Sequence, residues 1–575
     1  MKIVKYLLIV TAAVGIFLAA CTDEFLEITP TGQLGAIQLS TVSGVEGSLV
    51  GTYSMLLGRA TEEENFRFYH GPENWLWGSV VGGEAHKGSN EGDQSQVNEI
   101  QAYNTQAINI STRVKYDALY EGVARANNTM RIFRGLPEGA ISTADASRIE
   151  GEIRFLRAHF YFELKKIFNN TIYVDETWDE TTPVANDIDL WIPIEADLKF
   201  AYDNLPETMS AAGRANKWAA GAYYAKALLF QGKYQEANTI LINILQNGVT
   251  ASGELYGLND NFADAFFASN DNSKESVFAA QAAVGTGTLV NANNSMALNF
   301  PHSPSPANCC GFFQPSIEFA NSFRTDANGL PLLDGSYNDP SNAVKNDYNI
   351  PSTDNFTPDE GNLDPRIDHT VGRRGIPYLD WGLHPGSTWI RDPLYGGPYS
   401  PKKFSYYLEV ENDNDASSWH PGHPAVNYNI IRYADVLLWA AECAIELGDL
   451  ERGKDLINMV RNRAKTSMLM EDGKVVANYV IEPYPSFSDQ GTARAALRME
   501  RKLELGMEGH RFFDLVRWGN PKEVLDAYIQ YENTIINNST FRFASFTENK
   551  SEYMPIPQYD IDLVGAGTYQ QNPGY

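Results

Sequence analysis

Along residues 115–134 the apolar side chains Tyr116, Leu119, Val123, Met130 and Phe133 return at helical intervals, which predicts one long helix with a buried face. Ser142 followed by Asp145 reads as a capped start, and Ile149, Ile153, Leu156, Phe160, Leu164 and Ile167 then form a single apolar stripe, a second long helix. The stretch "NKWAAGAYYAKALLFQGKYQEANTILINIL" predicts helix, a turn at Gly232-Lys233-Tyr234, and a second helix crossing the first at Ala237. The same pattern returns in "YADVLLWAAECAIELGDLERGKDLINMVRNRA", with Gly448 at the turn and Gly453 at the close approach. Both pairs resemble tetratricopeptide hairpins, whose small residues let two helices pack tightly. Because they lie far apart in the sequence, a helical solenoid wrapped around other material is expected rather than one continuous array.

Between the two hairpins the texture changes. Half of the 28 prolines fall within residues 301–401, together with many Gly and Asn, which excludes long helices there. So large an irregular region in a folded chain usually carries function. It holds Tyr378, Trp381, Trp389, Tyr395 and Tyr399, and a second loop-like stretch, "NWLWGSVVGGEAHKGSNEGDQ", adds Trp75 and Trp77. Trp218, Trp439 and Trp518 sit instead on helical stripes and are expected in the core.

At 575 residues, with 43% hydrophobic and 20% charged residues, the chain is long and apolar enough for more than one lobe, and disorder is not expected over most of it. A formal net charge of -27 repels phosphate backbones, so nucleic acid is excluded as the expected partner.

The chain begins with a basic n-region, Lys2 and Lys5, and an apolar run over residues 7–20 that falls short of the roughly 20 residues a membrane span needs. Leu18-Ala19-Ala20-Cys21 resembles a bacterial lipobox, making Cys21 the expected lipidated residue and 1–20 a signal peptide. Asp23 and Glu24 are similar to the acidic tract that directs some Bacteroidetes lipoproteins to the cell surface. Three cysteines remain, too few for a disulfide scaffold. Cys443 reads as a buried small hydrophobe. The adjacent Cys309 and Cys310 either close a ring between neighbours, whose flat polarisable face suits a ligand, or stand as two thiols in a loop.

No HExxH, GxSxG or GxxxxGK[ST] motif occurs. Residues 411–417, "ENDNDAS", offer oxygen donors for calcium but lack the glycine and the final bidentate Glu of an EF-hand, so no metal or cofactor is expected. In "RMERKLELGMEGHRFFDLVRWG", residues 498–519, four acids, five basic residues and one histidine share a helical pattern. Glu508 can meet Arg511, and His510 can meet Asp514. A packed helix laced with ion pairs is the expected reading, with a His–Asp acid–base dyad as the alternative.

That stretch, the preceding "IIRYADVLLWAAECAIELGD" and the ending "YMPIPQYDIDLVGAGTYQQNPGY" resemble the C-terminal signature of the RagB/SusD family of Bacteroidetes nutrient-binding lipoproteins. The similarity continues through "GFFQPSIEFANSFRTDANGLPLLDG" and "DPRIDHTVGRRGIPYLDWG", so it covers nearly all the mature chain. The resemblance implies a mainly α, SusD-like fold: tetratricopeptide-like hairpins packed against a loop-rich ligand-binding region. It implies an N-terminal region over 21–290 and a C-terminal region over 291–575 that includes the loops of 301–401. The expected role is binding of an oligosaccharide or polysaccharide at the cell outer membrane and its delivery to a SusC-like TonB-dependent transporter, without catalysis.

A sugar ring offers an apolar C–H face and a rim of hydroxyls, so a glycan site needs flat aromatics ringed by polar groups. Trp75, Trp77, Trp381, Trp389 and Tyr395 are the expected platform, with Arg374 and Asp380 at its rim. The resemblance also reaches Cys309-Cys310, where a vicinal disulfide can line the glycan pocket. Two other classes fit the sequence: a surface glycoside hydrolase on a helical scaffold, and a tetratricopeptide scaffold for proteins alone.

Overall fold

The computed structural model describes residues 39–59, 68–417, 420, 422–565 and 567–575; the expected signal peptide, 1–20, and the expected lipidation site, Cys21, lie outside them. The fold is mainly α. Helices α1 (Val42–Tyr53), α2 (Ile110–Arg134), α3 (Thr143–Phe168), α4 (Trp191–Asn204), α5 (Lys217–Leu229) and α6 (Tyr234–Asn247) come from the first half. The second half supplies α7 (Tyr433–Glu446), α8 (Leu450–Thr466), α9 (Gln490–Leu505), α10 (Arg511–Arg517) and α11 (Pro521–Ile535).

Their starts are written in the sequence. Asn109, Ser142, Asn216, Asp449 and Asp489 each accept a backbone N–H from the first turn of α2, α3, α5, α8 and α9, satisfying donors that a helix end leaves orphaned. The apolar stripe of α3 is buried throughout. Gly232 and Gly448 take left-handed backbone at the hairpin turns. A Cβ on Gly453 would come within 2.6 Å of Ile445, so α7 and α8 approach as closely as expected.

One expectation is corrected. Each of α1 to α9 packs on its successor, including α6 directly on α7, so the two hairpins are neighbours in one continuous stack. The intervening residues leave the stack after α6 and rejoin it at α7 without separating the two helices. α7 is the reason: nearly every side chain along it is buried, because it is covered by α6, α8 and α9 at once.

Strands are few and short. β1 (Ala85–Gly88) pairs antiparallel with β3 (Phe312–Pro315), and β2 (Ser276–Ala280) pairs antiparallel with β4 (Tyr428–Arg432) through a bulge. The β2–β4 ribbon packs on α5, and β4 also on α7, which ties the two ends of the intervening region to the stack. Among the described residues no helix is long and apolar enough to cross a membrane.

The charged stretch of 498–519 is a buried brace and not one helix. α9 stops at Leu505, Met507 and Gly509 take left-handed backbone, and α10 restarts at Arg511. Five carboxylates and five cations interlock around it. Arg366 binds Asp364, Glu500 and Glu504 at 2.7, 2.6 and 3.0 Å. Arg432 binds Glu275, Glu504 and Glu508 at 2.9, 2.6 and 2.8 Å. Arg461 meets Glu500, Arg463 meets Glu275 and Glu504, and Lys403 meets Glu508. The charges balance, which is what allows so many to leave water. Two predicted pairs do not form. Glu508 is taken by Arg432 and Lys403, not Arg511, and the Asp514 carboxylate accepts from Arg501 and Arg517, leaving no His510–Asp514 dyad.

Candidate functional site

Lys403 carries the brace into the loops. Its ammonium donates to the Glu504 and Gly506 carbonyls at 3.1 and 2.8 Å and to the Glu508 carboxylate at 2.6 Å, which fixes the segment that follows, Phe404 to Tyr407. Tyr406 is the centre of a small satellite cluster with Phe300 and Ala307, against which Trp381 packs. The Trp381 indole N–H donates to the Tyr406 carbonyl at 2.9 Å, and the two rings meet edge to face at 6.3 Å. Trp381 stays half-buried, with surface left for a ligand. Asp380, exposed beside it, accepts the backbone N–H groups of Leu408 and Glu409 at 2.6 and 3.0 Å, so the carboxylate fastens two loops together.

The loop with Ala307 continues into Cys309 and Cys310, which are disulfide-bonded to one another and both partly exposed. Gly311 N–H donates to the Phe300 carbonyl at 2.9 Å, closing this loop over the satellite cluster. His302 N–H donates to the Trp389 carbonyl at 2.7 Å. These contacts tie residues 300–311, 378–391 and 404–410 into one loop-built face, in which Trp381 packs on the Phe300, Ala307 and Tyr406 cluster and the disulfide follows on the same loop as Ala307.

The remaining predicted residues serve this face from within or lie off it. Trp75 and Trp77 are corrected: they are 2% and 1% exposed, in a π-helical turn (Trp75–Val80) and not in a displayed loop. Their indole N–H groups donate to the carbonyls of Phe68 and Tyr69, both at 2.7 Å. Gly78 lets this turn lie against the Gly509 backbone, where a Cβ would collide. Trp75 packs on Phe313, just past the disulfide, and so forms a floor and not a platform. Trp389 is 8% exposed, edge-on to Tyr378 and His384. Tyr395 is 4% exposed, its ring under the Lys87 ammonium and its hydroxyl bonded to Asn98. Arg374 is not a rim group: its guanidinium donates to the carbonyls of Pro351, Ser352 and Asp354 and ties down that turn.

Sequence reasoning missed the aromatics around Tyr406. A cavity of about 390 Å³, within the size range of small-molecule sites, is lined by Phe266, Phe267, Phe404, Tyr406, Tyr407 and Val426. Glu409, Asp413 and Asn414 supply its polar groups, and no Lys or Arg is among the residues that line it. Phe267 and Tyr407, both partly exposed, lie 4.8 Å apart. The Tyr406 hydroxyl is itself buried, with no hydrogen-bond partner among the described residues, and burial raises its pKa above the ordinary phenol range, so it stays neutral beneath the pocket wall. The aromatic doublets at 266–267 and 406–407, set among Ser, Asn and acidic residues, were the available signal. Among the described residues no cluster of His, Cys, Asp and Glu is arranged to hold a metal ion.

With this geometry in hand, the chain can be set beside known proteins. The sequence profile of the SusD family matches residues 274–575, and a second profile, described as starch-binding and associating with outer membrane, matches residues 79–229. The chain belongs to the SusD family. A SusD-like protein of Bacteroides ovatus is 23% identical over 99% of this chain and 92% of its own length. Among solved structures, a SusD superfamily protein from Bacteroides vulgatus superimposes with a TM-score of 0.69 at 21% identity, covering 93% of this chain and 99% of that one. A laminarin-binding SusD-like protein does so with a TM-score of 0.65 at 21% identity, covering 93% and 100%.

Proposed function

We propose that this protein binds an oligosaccharide or polysaccharide on the face carrying Trp381, Tyr406 and the Cys309–Cys310 ring, and that it does so without cleaving it. The observation that carries this reading is the half-buried Trp381 indole, locked to the Tyr406 carbonyl beside an aromatic pocket that no Lys or Arg lines. Rigid aromatic planes suit the C–H faces of sugar rings, and Asp380 and Asn414 supply partners for sugar hydroxyls. A neutral glycan fits this lining better than a polyanion. Family membership and the similarity to a laminarin-binding protein support the ligand class.

In the same reading Cys21 carries a lipid that holds the protein on the outer face of the outer membrane. A SusC-like TonB-dependent transporter receives the glycan, and the stacked hairpins of α2 to α9 give it a broad rigid surface to dock on. The test is calorimetry of the mature protein against a panel of neutral oligosaccharides, laminarin-derived ones included, with chromatography of each ligand after incubation. Saturable binding with the ligand intact is expected. Release of reducing ends would make the protein a glycoside hydrolase, and no binding across the panel would leave a protein-docking scaffold.

A further inference from the structure

A second cavity, about 650 Å³, lies between α9, α10, α11 and the turn at 333–338, and it shares no lining residue with the aromatic pocket. Along α9 three cations, Arg494, Arg498 and Lys502, follow at four-residue spacing and all line it. Like charges one turn apart repel, so each needs a counter-charge to be held there at no cost. The outer two have one. Arg494 grips both oxygens of Glu446 at 2.6 Å, and Lys502 sits 2.7 and 2.8 Å from those of Glu318.

Arg498, between them, has none. The carboxylates whose field reaches it are Glu442, already gripped by Arg517 and Trp518, and Glu446, gripped by Arg494. Its guanidinium is stacked 4.9 Å from the Trp518 ring centroid and donates to no described residue. Burial lowers its pKa from the ordinary arginine value, the mark of a charge whose surroundings do not repay its desolvation. Arg511 lines the same cavity and also donates no side-chain hydrogen bond to a described residue; the carboxylate in its field, Glu84, accepts from the Met507 N–H. On the rim, Asp334 is bonded to Ser336, and Glu523 is exposed in the first turn of α11. Two guanidinium groups with no hydrogen-bonded carboxylate line one cavity of a chain with 72 acidic and 45 basic residues.

The geometry points to an oxyanion-binding site, separate from the glycan face, in which Arg498 and Arg511 hold the carboxylate, sulfate or phosphate group of a small ligand. A planar guanidinium fixed by stacking presents a preorganised fork to two oxygens of such a group. The oxyanion is either a free ion or the acidic substituent of a sugar. Calorimetry of the mature protein with sodium sulfate, inorganic phosphate and digalacturonate, at constant ionic strength, separates the two. Saturable binding of at least one probe is expected, weakened about tenfold or more by Arg498→Gln and by Arg511→Gln and unchanged by Trp381→Ala. Digalacturonate binding tighter than sulfate and phosphate assigns an acidic sugar, and equal affinity assigns a free oxyanion. Arg498→Gln is expected to melt no lower than the parent, since it removes an unpaired charge. No saturable binding of any probe, or unchanged affinity in both arginine variants, overturns the site.

Discussion

Trp381 is held by its own indole N–H, 2.9 Å from the carbonyl oxygen of Tyr406, so the plane offered to a ligand is set by backbone and not by a free rotamer. Removing the ring in Trp381→Ala should weaken oligosaccharide binding about tenfold, the scale of one stacked ring. Trp381→Phe, which keeps a ring but loses the tether, should fall between the two. Calorimetry on the three proteins checks the order.

The Cys309–Cys310 ring encloses only neighbouring residues, and the stabilisation a disulfide supplies through the unfolded state shrinks with the length of the loop it closes. A Cys309→Ser/Cys310→Ser double variant should therefore melt within a few degrees of the parent while its glycan affinity drops. Paired thermal-melt and calorimetry data decide it, and an unchanged affinity would remove the disulfide from the binding face.

Trp77 has the opposite signature. Its side chain is fully buried and its N–H is satisfied, so Trp77→Ala should cost about 3–5 kcal/mol of stability. Chemical denaturation measures this, and the fraction that remains folded should bind glycan as the parent does.

Arg432 bridges three buried carboxylates at once. Arg432→Met leaves Glu275, Glu504 and Glu508 short of a counter-charge and should destabilise the protein by about 3–5 kcal/mol. The loss should be smaller in an Arg432→Met/Glu508→Gln protein, a comparison that separates charge from packing.

Burial raises the pKa of Glu84 to about 7, with the Ser79 hydroxyl and the Met507 N–H offsetting only part of the effect. The folded state then holds this proton more tightly than the unfolded chain, whose Glu titrates near about 4.3. Its contribution is complete below that value and declines by about 3 kcal/mol as pH climbs to 7. Glu84→Gln should gain on the parent in melting temperature from pH 5 to pH 8. Glu163 behaves in reverse: burial opposes its ionisation, but Lys166, Lys115 and His159 outweigh that and depress it to about 2, so its contribution fades as pH falls from about 4.3 toward 2. Melting curves across pH 3–8 read both trends.

What was legible in the sequence followed from local rules. The caps at Ser142 and Asp449, the turns at Gly232 and Gly448 and the close approach at Gly453 each depend on residues within one or two turns of each other. The ion-pair character of 498–519 was readable from composition, but not its partners, because Arg366, Arg432, Arg461 and Arg463 reach it from distant segments. Trp75 and Trp77 misled for the same reason. Their Gly- and Asn-rich surroundings signal a turn, and only the Gly509 backbone packed on Gly78 turns it inward. In the site, Trp381 stood out as an indole among turn residues, whereas Tyr406 and Phe267 gain their importance from contacts that no short window contains.

The Lys403 clamp has a consequence for how the molecule is made. It joins a segment near residue 403 to carbonyls near 505, about a hundred positions later along the chain. The face that carries Trp381 and Tyr406 must therefore wait for the last quarter of the polypeptide to emerge before it can set. A chain truncated ahead of α9 would keep its early hairpins and have nothing against which to shape a ligand cradle.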